Sequence, residues 1–516
     1  MKRFLILILI LICSPGFLSL DRSADQTAKG KVLSENAPIP FARVRIPASS
    51  NYVLTDNNGE FEISLPDHSD SLVITAAAKG YYNGAAKVSS NDKSVIINLH
   101  KLFGKDTPDY KWTNPEINPE SRANCGNCHP AMLKEQWARS SHANSAVNPY
   151  FLAMYYGKDT SLLREAGPGY KKDFPESKGN CATCHIPGAA INDPSGIDPL
   201  SVRDVSKLGV FCDVCHKIAD VKQPVDESET GTSSIRFLRP PEGRSIFFGP
   251  YDDVPEPDTY SPLTTKSEFC GPCHTSKSGN SEIYNSYNEW KNSPYPARGI
   301  ECQTCHMAPD GVTTNFAPGK GGLERDPSTI PTHLFPGSHD PKFLANALTM
   351  NVSVEQTSDS IKVGVKLYND KTGHHIPSDS PSRNMILLVD CVNEKGDNLK
   401  FIGGEIVPSW GGTGRKSQGN YAGYPGKGFA KILEDIEGHS PAPEWKTAGI
   451  VSDNRIAAFE KNISYYYFRA PAEASKIKVR ATLVYRRFFK ETMMEKGFAL
   501  NDIIMESDSM DFKSRQ

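Results

Sequence analysis

Net charge and long apolar segments are both scarce in this sequence of 516 residues. Lysine and arginine together number 58 and aspartate and glutamate 60, which gives a formal charge of −2 at pH 7. A chain this close to neutral offers no electrostatic basis for binding nucleic acid. Hydrophobic residues amount to only 38%, and after residue 12 no segment is apolar enough to span a membrane.

Glycine and proline are plentiful by contrast, with 40 and 38 residues. They predict long stretches of irregular backbone. The chain is also longer than a single hydrophobic core usually supports, so we expect a multidomain protein with about three domains.

The one strongly apolar run lies at the N-terminus, where residues 4–12 follow a short basic start. This run is too short to cross a bilayer comfortably and is typical of a secretory signal peptide, which we place at residues 1–24. Cys13 raises the alternative of a lipid anchor. Leu11 and Ile12 are bulky where lipidation signals usually have small residues, so a plain signal is favoured. We therefore expect a periplasmic or extracellular protein.

Most of the 12 cysteines lie in five copies of the pattern C-x-x-C-H. Two thiols at this spacing can form thioethers to one porphyrin edge, and the next histidine then lies beneath the iron as an axial ligand. The pattern predicts five covalently bound haem c groups, with the histidines as proximal iron ligands. In chain order the motifs are Cys125-Gly-Asn-Cys128-His129, Cys181-Ala-Thr-Cys184-His185, Cys212-Asp-Val-Cys215-His216, Cys270-Gly-Pro-Cys273-His274 and Cys302-Gln-Thr-Cys305-His306.

Zinc ribbons and disulfides also use cysteine pairs of this spacing. A zinc ribbon uses two cysteine pairs to bind one metal ion. The five pairs of this chain cannot all be matched in this way, because one pair would remain without a partner. Neither alternative explains a histidine after every pair, so haem is the preferred interpretation. Cys391 lies outside the motifs and is expected to be an inert buried thiol in a strand.

Regions rich in predicted strands flank the motifs. Residues 29–101 and residues 346–490 both contain segments that alternate between apolar and polar residues, separated by turn signals. Each region predicts a β-sandwich. Residues 102–345 hold all five motifs and predict a mainly helical and irregular domain, with short helices joined by long loops around the haems.

Three helices are specific enough to be tested. Periodicity predicts helices over residues 132–141 and 282–292 in the motif region. A further helix is predicted over residues 488–505, so residues 491–516 are expected to form the rest of that helix and a frayed tail.

A second axial ligand is needed on each six-coordinate iron, commonly histidine or methionine. His68 and His100 fall in the first strand-rich region and are expected at the surface. His439, in a polar loop, is also expected to face solvent. The distal ligands that we predict are His142, His333, His339 and His374.

The fifth iron has no clear ligand. His375, a methionine, a residue from a neighbouring subunit and no ligand at all remain open. An iron with an open sixth position would bind small molecules, so this ambiguity separates an electron wire from an enzyme.

Several segments carry a resemblance to known families. Residues 30–32, 40–44, 55–61 and 78–81 resemble the carboxypeptidase regulatory-like domain, which implies a transthyretin-like β-sandwich without catalytic residues. Residues 137–143, 209–216 and 287–307 resemble bacterial multihaem cytochromes of the cytochrome c-554 and hydroxylamine oxidoreductase class. Residues 373–378 and 452–456 resemble the β-domain appended to many of those cytochromes. The cytochrome resemblance implies that His142 and His374 are axial ligands.

The leading hypothesis is an exported pentahaem cytochrome that carries electrons between redox-partner proteins; membrane association of these partners and self-assembly of the chain are left open. The alternative is an oxidoreductase that acts on a small nitrogen or sulfur compound at one five-coordinate haem. Pentahaem nitrite reductases bind their active haem through C-x-x-C-K, whereas all five motifs here end in histidine. A structural or adhesive surface protein is a third possibility, although five haem sites would then serve no evident purpose.

Overall fold

The computed structural model describes residues 27–514 except 67–70, 90–93, 122, 224, 226–227, 279–280 and 474. The predicted signal peptide, Cys13 and His68 lie outside the described residues. The chain divides into two compact units. Residues up to Lys101 form the first together with Asp252–Pro255, and Leu102–Tyr251 with Glu256–Gln516 form the second. Within the described ranges, no helix is both long and apolar enough to cross a membrane.

The first unit consists of two four-stranded sheets, ordered β2-β1-β5 with β8 parallel to β1, and β4-β3-β6-β7. Buried and exposed residues alternate along β1, and the buried Val32 belongs to the same apolar core as Ile74 and Ile97. Both sheets contribute to this core. His100 is exposed, as expected. The strands are β1 (Thr27–Ser34), β2 (Ala37–Pro38), β3 (Arg43–Arg45), β4 (Tyr52–Leu54), β5 (Glu60–Ser64), β6 (Ser71–Ala77), β7 (Gly84–Ser89) and β8 (Val95–Asn98).

The motif region of the second unit has little regular structure. Its longest helix is α1 (Pro149–Tyr156), which begins because the Asn148 side chain accepts the N–H groups of Tyr150 and Phe151. The other helices there are α2 (Tyr170–Asp173), α3 (Ala182–His185), α4 (Pro187–Ala190), α5 (Cys212–Cys215), α6 (Ser286–Lys291), α7 (Cys302–His306) and α8 (Pro341–Leu344). Two-stranded ribbons complete the region: β9 (Ile218–Val221) with β10 (Ile235–Phe237), β11 (Phe247–Gly249) with β12 (Asp258–Tyr260), and β13 (Ser276–Ser278) with β14 (Ser281–Tyr284).

The two helices predicted in this region are only partly present. Met132–Gln136 forms a π-helical turn that continues as a 3₁₀ turn at Trp137–Arg139. The predicted helix at 282–292 is shorter than expected, because β14 occupies its first residues and α6 begins at Ser286.

The C-terminal part of the second unit has long strands in two sheets, ordered β15-β16-β21-β18 and β20-β19-β17-β22-β23. β17 is buried along most of its length because apolar clusters pack on both of its faces. The strands are β15 (Thr349–Gln356), β16 (Ser360–Tyr368), β17 (Asn384–Asn393), β18 (Phe401–Gly404), β19 (Gly426–Glu434), β20 (Gly449–Asp453), β21 (Lys461–Arg469), β22 (Lys476–Arg486) and β23 (Ile503–Lys513).

The prediction for residues 491–516 is right for a helix at the start of this segment and wrong for the rest. The helix there, α9 (Lys490–Lys496), ends at Gly497, whose φ of +65° a glycine adopts without strain. The chain then forms β23, which pairs antiparallel with β22 from Ile503 to Lys513. The strand was not recognised because serine, aspartate and glutamate occupy much of it, as suits an exposed edge strand, and Met505 is its one fully buried side chain.

The boundary that we predicted at residue 345 does not separate two compact units. The motif region and the C-terminal sheets form one unit, while Asp252–Pro255 joins the first unit instead. In that first unit Asp252 pairs with Arg45 at 2.7 Å and with Arg43, and Ala48 N–H donates to Asp253.

Candidate haem-binding site

The motifs share a local geometry that follows from their spacing. In four of them the histidine N–H donates to the carbonyl of the first cysteine, at 2.9 to 3.2 Å. The fifth motif is the helix α7 itself. Residues at i, i+3 and i+4 of such a turn lie on one face, so both thiols and the imidazole can approach the same group.

Three motif histidines are oriented by the backbone. The Nδ1 atoms of His129, His216 and His306 donate to the carbonyl oxygens of Phe316, Phe248 and Pro336, at 2.8, 2.7 and 2.8 Å. Because a carbonyl oxygen can only accept, Nδ1 carries the proton and Nε2 keeps its lone pair for a metal.

The other two motif histidines have different surroundings. His274 Nδ1 lies 3.6 Å from a carboxylate oxygen of Asp379, and the second oxygen of Asp379 pairs with Arg383 at 3.1 Å. Burial opposes ionisation of Asp379, but Arg383 and His274 hold its pKa below the ordinary value. His185 is instead stacked on Phe151 of α1, with ring centroids 4.0 Å apart and planes 3° apart.

Two of the predicted distal histidines lie opposite a motif histidine. The ring centroids of His142 and His274 are 6.4 Å apart, and so are those of His374 and His306. Two imidazoles on opposite faces of one metal ion, each bonded at about 2 Å, have centroids roughly 6 to 6.5 Å apart. Both pairs therefore have the separation that an iron held between them requires.

His333 and His339 differ in their surroundings. Burial, followed by the neighbouring imidazoles of His216 and His129, lowers the pKa of His333 to about 3, which places His333 beside those two motif histidines. His339 is not brought opposite a motif histidine. Its Nδ1 contacts Ser141 Oγ at 3.0 Å, and the charged groups acting on it are those of Asp340 and two arginines. This placement does not support the prediction that His339 is a ligand.

His375 and His439 both have carboxylate partners. His375 Nδ1 lies 3.2 Å from Glu289, and His439 is largely exposed beside Asp435. Among the described residues, Asp379 is the one charged side chain that affects the pKa of His185, and no second imidazole does so.

A buried network holds the loop that carries His374. Glu289 of α6 pairs with Arg455 at 2.7 Å, and both side chains are less than 5% exposed. The same carboxylate accepts the Ser378 hydroxyl at 2.6 Å and the His375 backbone N–H at 3.1 Å. Three segments that separately carry the family resemblance therefore meet at one carboxylate. Sequence reasoning missed Glu289 and Asp379, because nothing in the spacing indicates that these segments touch.

Cysteines of different motifs also lie in contact. The thiols of three cysteine pairs from different motifs lie close enough to shift each other's pKa: Cys125 with Cys212, Cys184 with Cys273, and Cys270 with Cys302. The first motif is thus next to the third, and the fourth is next to both the second and the fifth.

The surroundings of the motif thiols fit haem c. All ten retain accessible surface, whereas Cys391 in β17 is buried, as expected for an inert thiol. Desolvation by surrounding protein nevertheless raises the pKa of the Cys215 thiol to about 12. With the paired imidazoles, the motif residues can hold porphyrins through thioethers and axial nitrogen ligands.

Comparison with known proteins gives one family match and one shared fold. Residues 124–217 match the family model described as "Cytochrome c554 and c-prime". A solved penta-heme cytochrome c552 from Thermochromatium tepidum is similar over 75% of this chain and 97% of its own, with 18% identity and a TM-score of 0.53. No curated protein sequence matches.

Two further solved structures have TM-scores too low to indicate a shared fold. They are the Fcho1 Mu homology domain from Danio rerio with bound Eps15 peptide, at 7% identity, 28% and 40% coverage and a TM-score of 0.12, and a family 123 glycoside hydrolase from Clostridium perfringens, at 11% identity, 32% and 26% coverage and a TM-score of 0.13. The family match inside the motif region and the fold shared with a penta-heme protein together support a multihaem c-type cytochrome.

Proposed function

We propose that this chain is an exported cytochrome with five covalent haem c groups that carries electrons between redox partners. Each bound haem would cycle between Fe(III) and Fe(II) and exchange one electron at a time with its neighbours. The protein's part is to place the haems close together and to tune each one through its ligands, burial and nearby charge.

The contacts between cysteines of different motifs carry this proposal. A thioether sulfur is bonded directly to the porphyrin periphery, so two sulfurs in contact bring two porphyrin edges together. Contacts join the first site to the third, the second to the fourth, and the fourth to the fifth. Cys215 in the third motif also raises the pKa of Cys270 and Cys273 in the fourth. The five sites therefore form one connected set, with the fourth site as its branch point.

The ligand set follows from the same geometry. The proximal ligands are the five motif histidines. His142 would complete the fourth site and His374 the fifth, each from the opposite face at a centroid distance of 6.4 Å. His333 would complete the third or the first site, since it lies beside His216 and His129.

Mass spectrometry and redox titration of the purified holoprotein test the proposal. We expect a mass five haems above the mature chain, full reduction by a one-electron donor, and reoxidation by a soluble redox protein without conversion of any substrate. A different haem number, or haems that cannot exchange electrons with one another, would contradict it.

A second candidate function is favoured by one observation, the absence of an opposing imidazole at His185 among the described residues. The surroundings of this second site include Tyr284, whose hydroxyl donates to Glu444 at 3.0 Å and on which the Cys181 thiol acts electrostatically. A five-coordinate haem in this polar surrounding would bind a small nitrogen or sulfur compound.

Low-temperature EPR of the oxidised protein separates the two functions. A pure electron carrier gives only low-spin signals. A high-spin signal that changes on addition of nitrite or hydroxylamine would identify a ligand-binding haem, either at the second site or at whichever of the first and third sites His333 does not complete. Turnover of either compound with reduced protein would then make the chain an oxidoreductase.

The N-terminus and the first unit would determine where the protein is located and would take no part in electron transfer. Residues 1–24 would direct export, and the first unit, through its resemblance to the carboxypeptidase regulatory-like domain, would be a transthyretin-like β-sandwich. Such a unit can space the haem sites from a surface or a partner. Microsequencing of the mature N-terminus tests the export signal.

A further inference from the structure

We propose that Asp379 is a positioning residue that acts through His274 and makes the fourth haem site the hardest of the histidine-paired sites to reduce. This inference rests on the proposed function, since it concerns the order in which the sites accept electrons. It assigns a role to the loop after His374 that goes beyond supplying an axial ligand.

The acceptor at Nδ1 distinguishes His274 from three other motif histidines. His129, His216 and His306 face neutral backbone carbonyls at 2.7 to 2.8 Å. His274 faces a carboxylate at 3.6 Å, a charge contact that is longer than a direct hydrogen bond. A negative charge behind an axial imidazole increases its donation to the iron and favours Fe(III) over Fe(II).

Asp379 is held where this charge acts strongly. Its side chain is only 19% exposed, and its backbone adopts a φ of +70°, an unusual conformation for a residue with a side chain. Arg383 fixes the second carboxylate oxygen at 3.1 Å and also donates to the Ser378 carbonyl at 3.0 Å. Charges interact more strongly in such an enclosed site than in water. Arg383 partly offsets the effect, so the two side chains act on the fourth site with opposite signs.

The position of the fourth site gives this tuning a consequence. Its motif thiols contact those of the second and the fifth motif, so electrons that enter one branch must cross it to reach the other. If reduction is least favourable at the branch point, an electron moves on to a neighbouring site instead of remaining there. Asp379 would thus keep the branch point oxidised at rest and open to both branches.

Opposite shifts in two variants test this role. In the full-length holoprotein, Asp379→Asn keeps the side-chain shape and removes the charge, whereas Arg383→Gln leaves the carboxylate unneutralised. Redox titrations followed by optical spectra and EPR should show the low-spin haem of the fourth site with a more positive midpoint in D379N and a more negative midpoint in R383Q. The haems at His185 and His306, on which Asp379 also acts, should shift less and in the same sense. D379E should restore the native order.

Glu355→Gln is the matched control, because it also removes one carboxylate charge, from a side chain that is 69% exposed in β15. It should leave every midpoint unchanged. A D379N midpoint that stays where the control's does, or shifts of the same sign in D379N and R383Q, would overturn the role of Asp379. A general loss of packing would move both in the same direction. If D379N fails to take up haem, R383Q and D379E still decide the sign. Failure of the native protein to accept electrons would instead overturn the proposed function.

Discussion

The motif region and the C-terminal sheets belong to one compact unit but are stabilised in different ways. Most helices of the motif region have only four or five residues, and its largest described apolar cluster has eight buried residues. The C-terminal sheets have strands of up to 11 residues around an extensive apolar core. Helices that short are not stable by themselves, so the motif region must depend on bound haem and on the sheets beside it, whereas the sheets depend on their own apolar burial.

Removing one haem should have the largest effect, and it should be confined to the motif region. Cys270→Ala with Cys273→Ala prevents attachment at the branch point, where three sites meet. Because the haem supplies much of the apolar contact there, we expect residues 102–345 to become sensitive to protease while the C-terminal sheets stay resistant. Limited proteolysis with mass spectrometry measures this.

Cys391→Ala is the control, because it changes the same residue type within the apolar core of β17. It should cost about 1 to 2 kcal/mol and leave the proteolytic pattern unchanged. If the double variant were as resistant as the native protein, the motif region would have a core of its own and the contrast would fail.

Glu289→Gln tests how far the two regions are independent. The variant removes one of the two carboxylates that pair with Arg455, which is 4% exposed and keeps Asp453 at 2.7 Å, and it weakens the hold on the loop that carries His374. We expect a loss of about 3 to 5 kcal/mol in the free energy of unfolding, together with a changed EPR signal of the fifth site. Denaturant unfolding and EPR measure the two effects. Glu355→Gln, at an exposed pair, should cost no more than about 0.5 kcal/mol.

A loss of stability in E289Q without any change in the EPR signal would show that the network supports the sheets alone. The loop would then hold His374 in place through other contacts, and Glu289 would have no part in ligand placement.

Asp502→Asn should weaken the sheets and leave the haem sites intact. Asp502 pairs with Arg486 through both oxygens, at 2.7 and 2.8 Å, and Arg486 is 1% exposed. Because Asp502 is partly accessible, we expect a smaller loss, about 2 to 3 kcal/mol. Denaturation monitored by far-UV circular dichroism measures it. An altered haem spectrum in the native state would contradict the separation of the two regions.

The sequence predicts the strands of the C-terminal sheets and the kind of group that the motif region binds. Alternation correctly indicated β15, β16 and β22, and a continuous apolar run indicated β17, which is buried on both faces. Alternation missed β23, whose polar residues suit an edge. In the motif region the C-x-x-C-H motifs indicate that haem binds, because the residues of each motif are close together in sequence. Contacts such as Glu289 with Arg455 are not readable, because they depend on how distant segments fold together.

Placement of the distal histidines shows the same limit. The sequence nominated His142 and His374 but could not say which iron each would serve. His142 lies opposite the fourth motif and not the first, which is next to it in sequence, whereas His374 lies opposite the fifth, the nearest motif along the chain. His339 was nominated on its nearness to the last motif. The described contact of His339 is with Ser141 through Nδ1, so its role as a ligand stays a prediction.

The smallest expected effect concerns Lys496, which joins the two regions from α9. Its side chain is fully buried and its ammonium group donates to the carbonyls of Ala153 in α1 and of Pro168. Burial lowers the pKa of Lys496 from 10.5 to about 8. Between these two values the unfolded chain binds more protons than the folded one, so this lysine makes the free energy of unfolding rise with pH in that window and has no such effect below about pH 8. Urea unfolding of native protein and of Lys496→Met from pH 7 to 10.5 gives the difference between their free energies of unfolding. This difference should be constant up to about pH 8. Above that pH it should increase in favour of the native protein, with a slope no greater than that of one titrating proton. A flat difference over the whole range would mean that Lys496 keeps an ordinary pKa and that the contact between α9 and α1 is open to water.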